Sequence, residues 1–134
     1  MTVKHINQTP GAAYTPAIVT SGLVFTSGQV GADPVSGTVP EDFESEVRLA
    51  IDNLRSTLAD AGSDLSQLVR VTGYIADVEL ADVYNRVYLE LIPEPRPTRA
   101  TVEVRMLPPY RIELECVSSH TAASEAEGCD HRDH

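Results

Sequence analysis

Tryptophan is absent from this 134-residue chain, and phenylalanine and cysteine occur twice each. Two cysteines cannot build the bridged framework of a small secreted domain, so a packed core must hold the fold. Cations are scarce as well: 10 Lys and Arg stand against 20 Asp and Glu, a formal net charge of −10 at pH 7. So acidic a chain repels phosphate backbones and anionic membrane surfaces unless its few cations gather in one patch. Nucleic acid is a poor first expectation, the more so without an array of aromatics on which bases could stack. No apolar run approaches the length of a membrane span, and the opening MTVKHINQTP lacks the apolar stretch of a signal peptide. A cytoplasmic protein with a single core is expected, since the length suffices for one domain and not for two of ordinary size.

What is present is strongly patterned. Ala17 to Thr20 and Leu23 to Ser27 are short β-prone runs divided by Ser21-Gly22, a hairpin turn. Residues Gly28 to Pro40 carry Asp33-Pro34 and Ser36-Gly37 and read as a loop. Phe43, Val47, Ile51, Leu54 and Leu58 recur at helical spacing, with Glu41 and Asp42 at the positive end and Gly62 placed to stop the helix. Val69 to Ala76 reads as a strand. Leu80, Val83, Tyr84, Val87 and Leu91 form the stripe of a second helix that Pro93 ends. Then come two alternating strands. Ala100, Val102 and Val104 oppose Arg99, Thr101, Glu103 and Arg105, and Ile112, Leu114 and Cys116 oppose Arg111, Glu113 and Glu115. The order β-β-α-β-α-β-β predicts an α+β domain over residues 1–117, with both helices on one face of a mixed sheet. The uncovered, charged face should then meet water or another subunit. Residues 118–134, rich in small, acidic and histidine residues, read as a disordered acidic tail.

Arg99 and Glu113 are the strongest chemical pair in the pattern, expected on neighbouring strands and both on the face away from the helices. A guanidinium can grip a carboxylate through two parallel hydrogen bonds, and a carboxylate beside it can hold a water. A cross-strand salt bridge accounts for the same two residues, and by pattern alone is the commoner arrangement. Other constellations are weaker. Cys129, His131 and His134 in the tail do not make a preformed metal site. Gly28 and Gly31 lack the rest of a phosphate-loop fingerprint. Cys116, on the apolar face, reads as an inert buried thiol.

Pro97-Thr98-Arg99-Ala100-Thr101-Val102-Glu103-Val104, then Leu107-Pro108 and Ile112-Glu113-Leu114-Glu115, resembles the C-terminal signature of the RidA (YjgF) family of imine deaminases. Leu23-Val24-Phe25-Thr26-Ser27-Gly28-Gln29 is similar to that family's strand ending in Ser-Gly-Gln. Tyr14-Thr15-Pro16-Ala17 stands in the place of its Tyr-Ser-Gln-Ala, and Asn85 to Tyr88 matches its Asn-x-x-Tyr. The resemblance runs over about residues 10 to 117 in consistent order.

That resemblance implies a chorismate-mutase-like fold assembled as a homotrimer, with small imino or keto acids bound in clefts between subunits. It implies hydrolysis of reactive enamines and imines, such as 2-aminoacrylate, 2-iminopropanoate and 2-iminobutanoate, to 2-keto acids and ammonia without a cofactor. By position it makes Arg99 the clamp for the substrate carboxylate and Glu113 the holder of the attacking water. Tyr14, Ser27 and Gly28 become pocket residues, and Thr101 replaces a cysteine common in the family. Arg96 stands where an apolar or aromatic residue is usual. The Pro108-Pro109-Tyr110-Arg111 connection is about one residue short, so a shifted gap would exchange Glu113 with Glu115. A non-catalytic trimeric binding module for small carboxylates is the alternative. A ribonuclease, also among the names used in the family, ranks third on charge.

Overall fold

The computed structural model describes residues 2–121. In chain order its elements are β1 (Lys4–Ile6), β2 (Ala17–Thr20), β3 (Leu23–Thr26), β4 (Gln29–Val30), α1 (Phe43–Asp60), β5 (Leu68–Ile75), α2 (Ala81–Leu91), β6 (Thr98–Glu103) and β7 (Ile112–Ser119). Single 3-10 turns precede β5 and α2.

Local chemistry accounts for most boundaries. Ser21 and Gly22 take φ of 55° and 75°, the left-handed pair that a tight β2–β3 hairpin requires. Asp42 caps α1, its carboxylate accepting from the Ser45 N–H at 2.9 Å. Gly62, at φ 79°, turns the chain away beyond the helix end. α1 buries Val47, Ala50, Ile51, Leu54 and Leu58, and α2 buries Tyr84, Val87 and Tyr88, against Val24, Val71, Ile75, Ile112, Leu114 and Cys116 of the sheet. Each large apolar side chain so buried contributes about 1.5–3 kcal/mol before the entropy of ordering is subtracted.

The sheet runs β1-β2-β3-β7-β5-β6, with β4 also pairing β7. Only β5 and β6 are parallel among these pairs, as a helical crossover through α2 demands. The expected α+β fold with two helices over a mixed sheet is present. β1 and β4 are additions: at three and two residues they are too short to leave a periodicity. Gly73, odd for a strand, makes room for Tyr84, because a Cβ there would lie 2.5 Å from the phenol oxygen.

Two expectations need correction. First, the fold does not end at Val117. β7 continues to Ser119, with Ser118 fully buried and its hydroxyl 2.9 Å from that of Ser63, so small polar residues extend the alternation without apolar character. Residues 122–134, which hold Cys129, His131 and His134, lie outside the described residues.

The second concerns the faces. Arg99 is in register with Val71, and Val71 with Cys116, both buried beneath the helices. Arg99 and Thr101 therefore point to the helix side of β6. Glu113 is in register with Tyr74 and Val30, and Tyr74 with Val102, on the opposite, open face. Nor are their strands neighbours, since β5 lies between β6 and β7. Alternation gives the two sides of a strand but not which side meets the helices. On β6, the last strand in the sheet order, the apolar side faces the open surface.

Candidate active site

The expected site residues fall into two groups. The first gathers where β3 passes into β4. The Ser27 N–H donates to the Pro16 carbonyl at 2.9 Å and its hydroxyl to the Thr15 carbonyl at 2.5 Å, tying down the segment that carries Tyr14. Ser27 thus holds a pocket wall in place with the hydroxyl proton expected to face a ligand. Tyr14 itself is 65 % exposed and lines one cavity with Gly28, Gln29 and Asn53. Glu113 lies against Gly28 so closely that a Cβ at that glycine would be 2.6 Å from its Cδ and Oε2. On its other side Glu113 lines a cleft with Val30, Tyr74, Arg105 and Tyr110.

Glu115 is engaged elsewhere. It accepts a 2.5 Å hydrogen bond from the Tyr74 hydroxyl, which raises the Tyr74 pKa above its ordinary value, and it lines a different pocket with Phe25, Arg70 and Thr72. Of the two carboxylates, Glu113 is the one against Gly28.

Beyond the two-residue β4 the stretch is the expected loop, and within it Gly28 and Gly31 are spacers for close approach. A Cβ on Gly31 would lie 2.1 Å from the Glu46 carbonyl oxygen. Asn53 of α1 donates to the carbonyls of Val30 and Ala32 at 2.9 and 2.8 Å and pins β4 between them. Glu46, with no exposed surface, receives the Arg111 backbone N–H and Nε, both at 2.7 Å. Those bonds anchor the first turns of α1 to the residue before β7, and so set the height of Glu113. Neither Asn53 nor Glu46 belongs to the apolar stripe, which is why sequence reading passed over them.

The second group lies on the far side of the sheet. The Arg99 Cζ sits 4.6 Å from the centre of the Tyr88 ring and 5.4 Å from that of Tyr84. Among the described residues Arg99 has no carboxylate within ion-pair distance. It lines a pocket with Asn85, Tyr88, Leu89, Arg96 and Pro97. Arg96 is committed at the rim: Nη2 and Nε donate to the Leu89 and Ile92 carbonyls at 3.1 and 3.2 Å, and Nη1 to Glu94 at 3.0 Å. It caps the end of α2. Burial pushes the Tyr84 phenol up to about 12, with the Arg99 charge working against the shift. Thr101 shares a register row with Gly73, the glycine under Tyr84. Of the tyrosines beneath Arg99, Tyr84 was visible as a member of the apolar stripe and Tyr88 only as the end of the Asn85–Tyr88 motif; their four-residue spacing places both rings on one face of α2.

Arg99 and Glu113 thus do not meet within one chain, either as a salt bridge or around a shared water. Their backbones are two strands apart, about 10 Å across the sheet, and their side chains leave from opposite faces. No metal-binding group of His, Cys, Asp and Glu occurs among the described residues. Cys116 is a buried thiol that burial pushes up to about 11, so it is not a nucleophile at neutral pH. No helix among the described residues is long and apolar enough to cross a membrane.

Comparison with known proteins agrees with this framework. The family model described as Endoribonuclease L-PSP matches residues 6–119. Protein mmf2, mitochondrial, of Schizosaccharomyces pombe is 35 % identical over 113 residues, covering 81 % of this chain and 89 % of that one. The putative reactive intermediate deaminase TdcF of Escherichia coli is 30 % identical over 126 residues, covering 90 % and 98 %. The crystal structure of E. coli TdcF with bound serine superimposes with a TM-score of 0.79 at 28 % identity, over 88 % of this chain and 99 % of that one. With matched residues running from β1 to the end of β7, the chain belongs to the RidA (YjgF, L-PSP) family.

Proposed function

We propose that this protein is a cytoplasmic enamine/imine deaminase that hydrolyses small 2-imino acids, of the kind tautomeric with 2-aminoacrylate, to 2-keto acids and ammonia. The observation that carries the reading is the separation of its two half-sites. A guanidinium with no ion pair among the described residues faces one side of the sheet, and a carboxylate held against a glycine faces the other. One copy cannot close such a site. Adjacent copies in a homotrimer can, with Arg99 and Thr101 of one subunit facing Tyr14, Ser27, Gly28 and Glu113 of the next. The open sheet face suits burial against another copy, since Phe25 and Val102 are each 42 % exposed there.

The chemistry asks little of the protein. An imine carbon is already electrophilic, so the site needs to fix the carboxylate, place a water and manage protons. Arg99 grips the carboxylate with two N–H donors. Glu113 accepts a hydrogen bond from the water and draws off its proton as oxygen bonds to carbon. Glu113 returns that proton to the nitrogen of the resulting amino alcohol, which departs as ammonia while the hydroxyl gives its own proton to Glu113 and the C=O of the keto acid forms. No step calls for a redox change or a cofactor. The names of the TdcF relatives support this activity class, and the serine bound in the TdcF structure is an amino acid of the right size.

The test is complementation between subunits. Arg99→Ala and Glu113→Gln should each be inactive towards imine generated in situ by an amino-acid oxidase. Unfolded, mixed in equal amounts and refolded, they should regain about a quarter of wild-type sites, because each site draws one residue from each of two copies. A mixture as inactive as its parents overturns the shared site. Wild-type protein that binds a keto acid but does not accelerate imine hydrolysis would make it a binding module instead.

A further inference from the structure

The pocket around Arg99 contains a polar group that the proposed mechanism does not use. Tyr88 is 3 % exposed, and its hydroxyl is fully buried with no hydrogen-bond partner among the described residues. Buried hydroxyls are normally paired, because leaving one unmade forfeits its hydration for nothing. This residue also lines the pocket, lies under the Arg99 guanidinium at 4.6 Å and feels the charges of both Arg99 and Arg96. Tyr84 does not share this position: its ring is farther from Arg99 and its oxygen is lodged over Gly73.

We propose that Tyr88 is a further substrate-binding residue: its ring seats the Arg99 guanidinium, and its hydroxyl supplies a third donor to the carboxylate that Arg99 grips. The inference rests on the assignment of Arg99 as the carboxylate clamp. Three features support it together. The face of an electron-rich ring holds a guanidinium without itself consuming its in-plane N–H donors, so the seat is compatible with bidentate binding. Burial raises the phenol pKa, which keeps the hydroxyl protonated and a donor at neutral pH. A ligand carboxylate at Arg99 would complete the pairing that the hydroxyl lacks.

Pyruvate, a small 2-keto acid, is the probe, titrated by NMR into wild-type protein and into Tyr88→Phe and Tyr88→Leu, alongside steady-state kinetics. Tyr88→Phe should weaken pyruvate binding and raise KM on the order of 10-fold, with kcat nearly unchanged, as expected for a bond made equally in ground and transition states. Its melting temperature should hold or rise, since an unpaired buried hydroxyl has been removed. Tyr88→Leu should bind more weakly still, because Arg99 loses its seat. A purely structural tyrosine gives the reverse pattern, lower melting temperature with unchanged affinity and KM, and that result overturns the proposal. The arms separate the two readings. Wild-type protein that binds pyruvate without turning over imine overturns the deaminase while the Tyr88 series still reads out in binding. An Arg99→Ala variant that keeps full pyruvate affinity overturns the clamp and with it the role of Tyr88. Wild-type protein with neither binding nor turnover overturns both.

Discussion

Arg111 and Arg99 both lie over aromatic rings, Arg111 at 5.5 Å from the centre of Phe43 and Arg99 at 4.6 Å from that of Tyr88, yet they do opposite work. Arg111 is committed: Glu46 takes its Nε and its backbone N–H, and the Pro40 and Glu41 carbonyls take Nη2 at 3.2 and 2.9 Å. Arg99 has the ring and, among the described residues, no carboxylate within ion-pair distance. The glycines repeat the contrast. Gly31 yields to the backbone of Glu46, a contact nothing can relieve, whereas Gly28 yields to the movable end of Glu113. Charge over a ring marks neither structure nor function by itself. What distinguishes the two regions is whether the donors have been used.

The contrast can be broken by substitution, and the largest effect should fall on catalysis. Arg99→Ala should lose on the order of 100-fold or more in kcat/KM, the loss of a bidentate charge-assisted contact, with unfolding free energy within about 1 kcal/mol of wild type. Arg111→Ala should reverse the pattern, costing about 3 kcal/mol in urea unfolding by stranding the fully buried Glu46 carboxylate. Equal stability loss in both variants would end the distinction. Next come the glycines. Gly28→Ala should fold, with a stability change of about 1 kcal/mol or less, and lose activity on the order of 10-fold as Glu113 swings aside. Gly31→Ala, with no such escape, should fold poorly or not at all.

The smallest effect is spectroscopic. The Tyr84 phenol, at about 12 in the folded protein against 10 ordinarily, contributes stability that is complete below pH 10 and lost as pH rises towards 12. Because the Arg99 charge opposes this shift, Arg99→Ala should move the Tyr84 titration higher still in an ultraviolet pH titration. An unmoved titration would place the guanidinium away from the rings.

Much of this was legible in the residues, and the failures have physical causes. Helical spacing located α1 and α2 because their buried stripes are continuous, and Ser21-Gly22 announced its turn because two left-handed residues in succession suit few others. The family signature located Arg99 and Glu113. Their faces were not legible, because β6 turns its apolar side to the open surface, where Ala100 and Val102 lie in register with Thr72 and Tyr74. Glu46 was passed over, since nothing nearby in sequence reveals that Arg111, 65 positions on, reaches it. Tyr88 was legible only as the last residue of the Asn85–Tyr88 motif, and the structure buries it. Its hydroxyl becomes notable only when the lack of a partner can be seen.

The place of β7 also bears on how the molecule is made. The last strand among the described residues is inserted mid-sheet, joined to β3, β4 and β5. Until residues 112–119 leave the ribosome, β1–β2–β3 and β5–β6 are two fragments with no shared strand, each presenting an open edge and an unfinished floor for the helices. Synthesis therefore delivers all of residues 1–119 before this domain can fold cooperatively, and the interval exposes strand edges able to pair with other nascent chains.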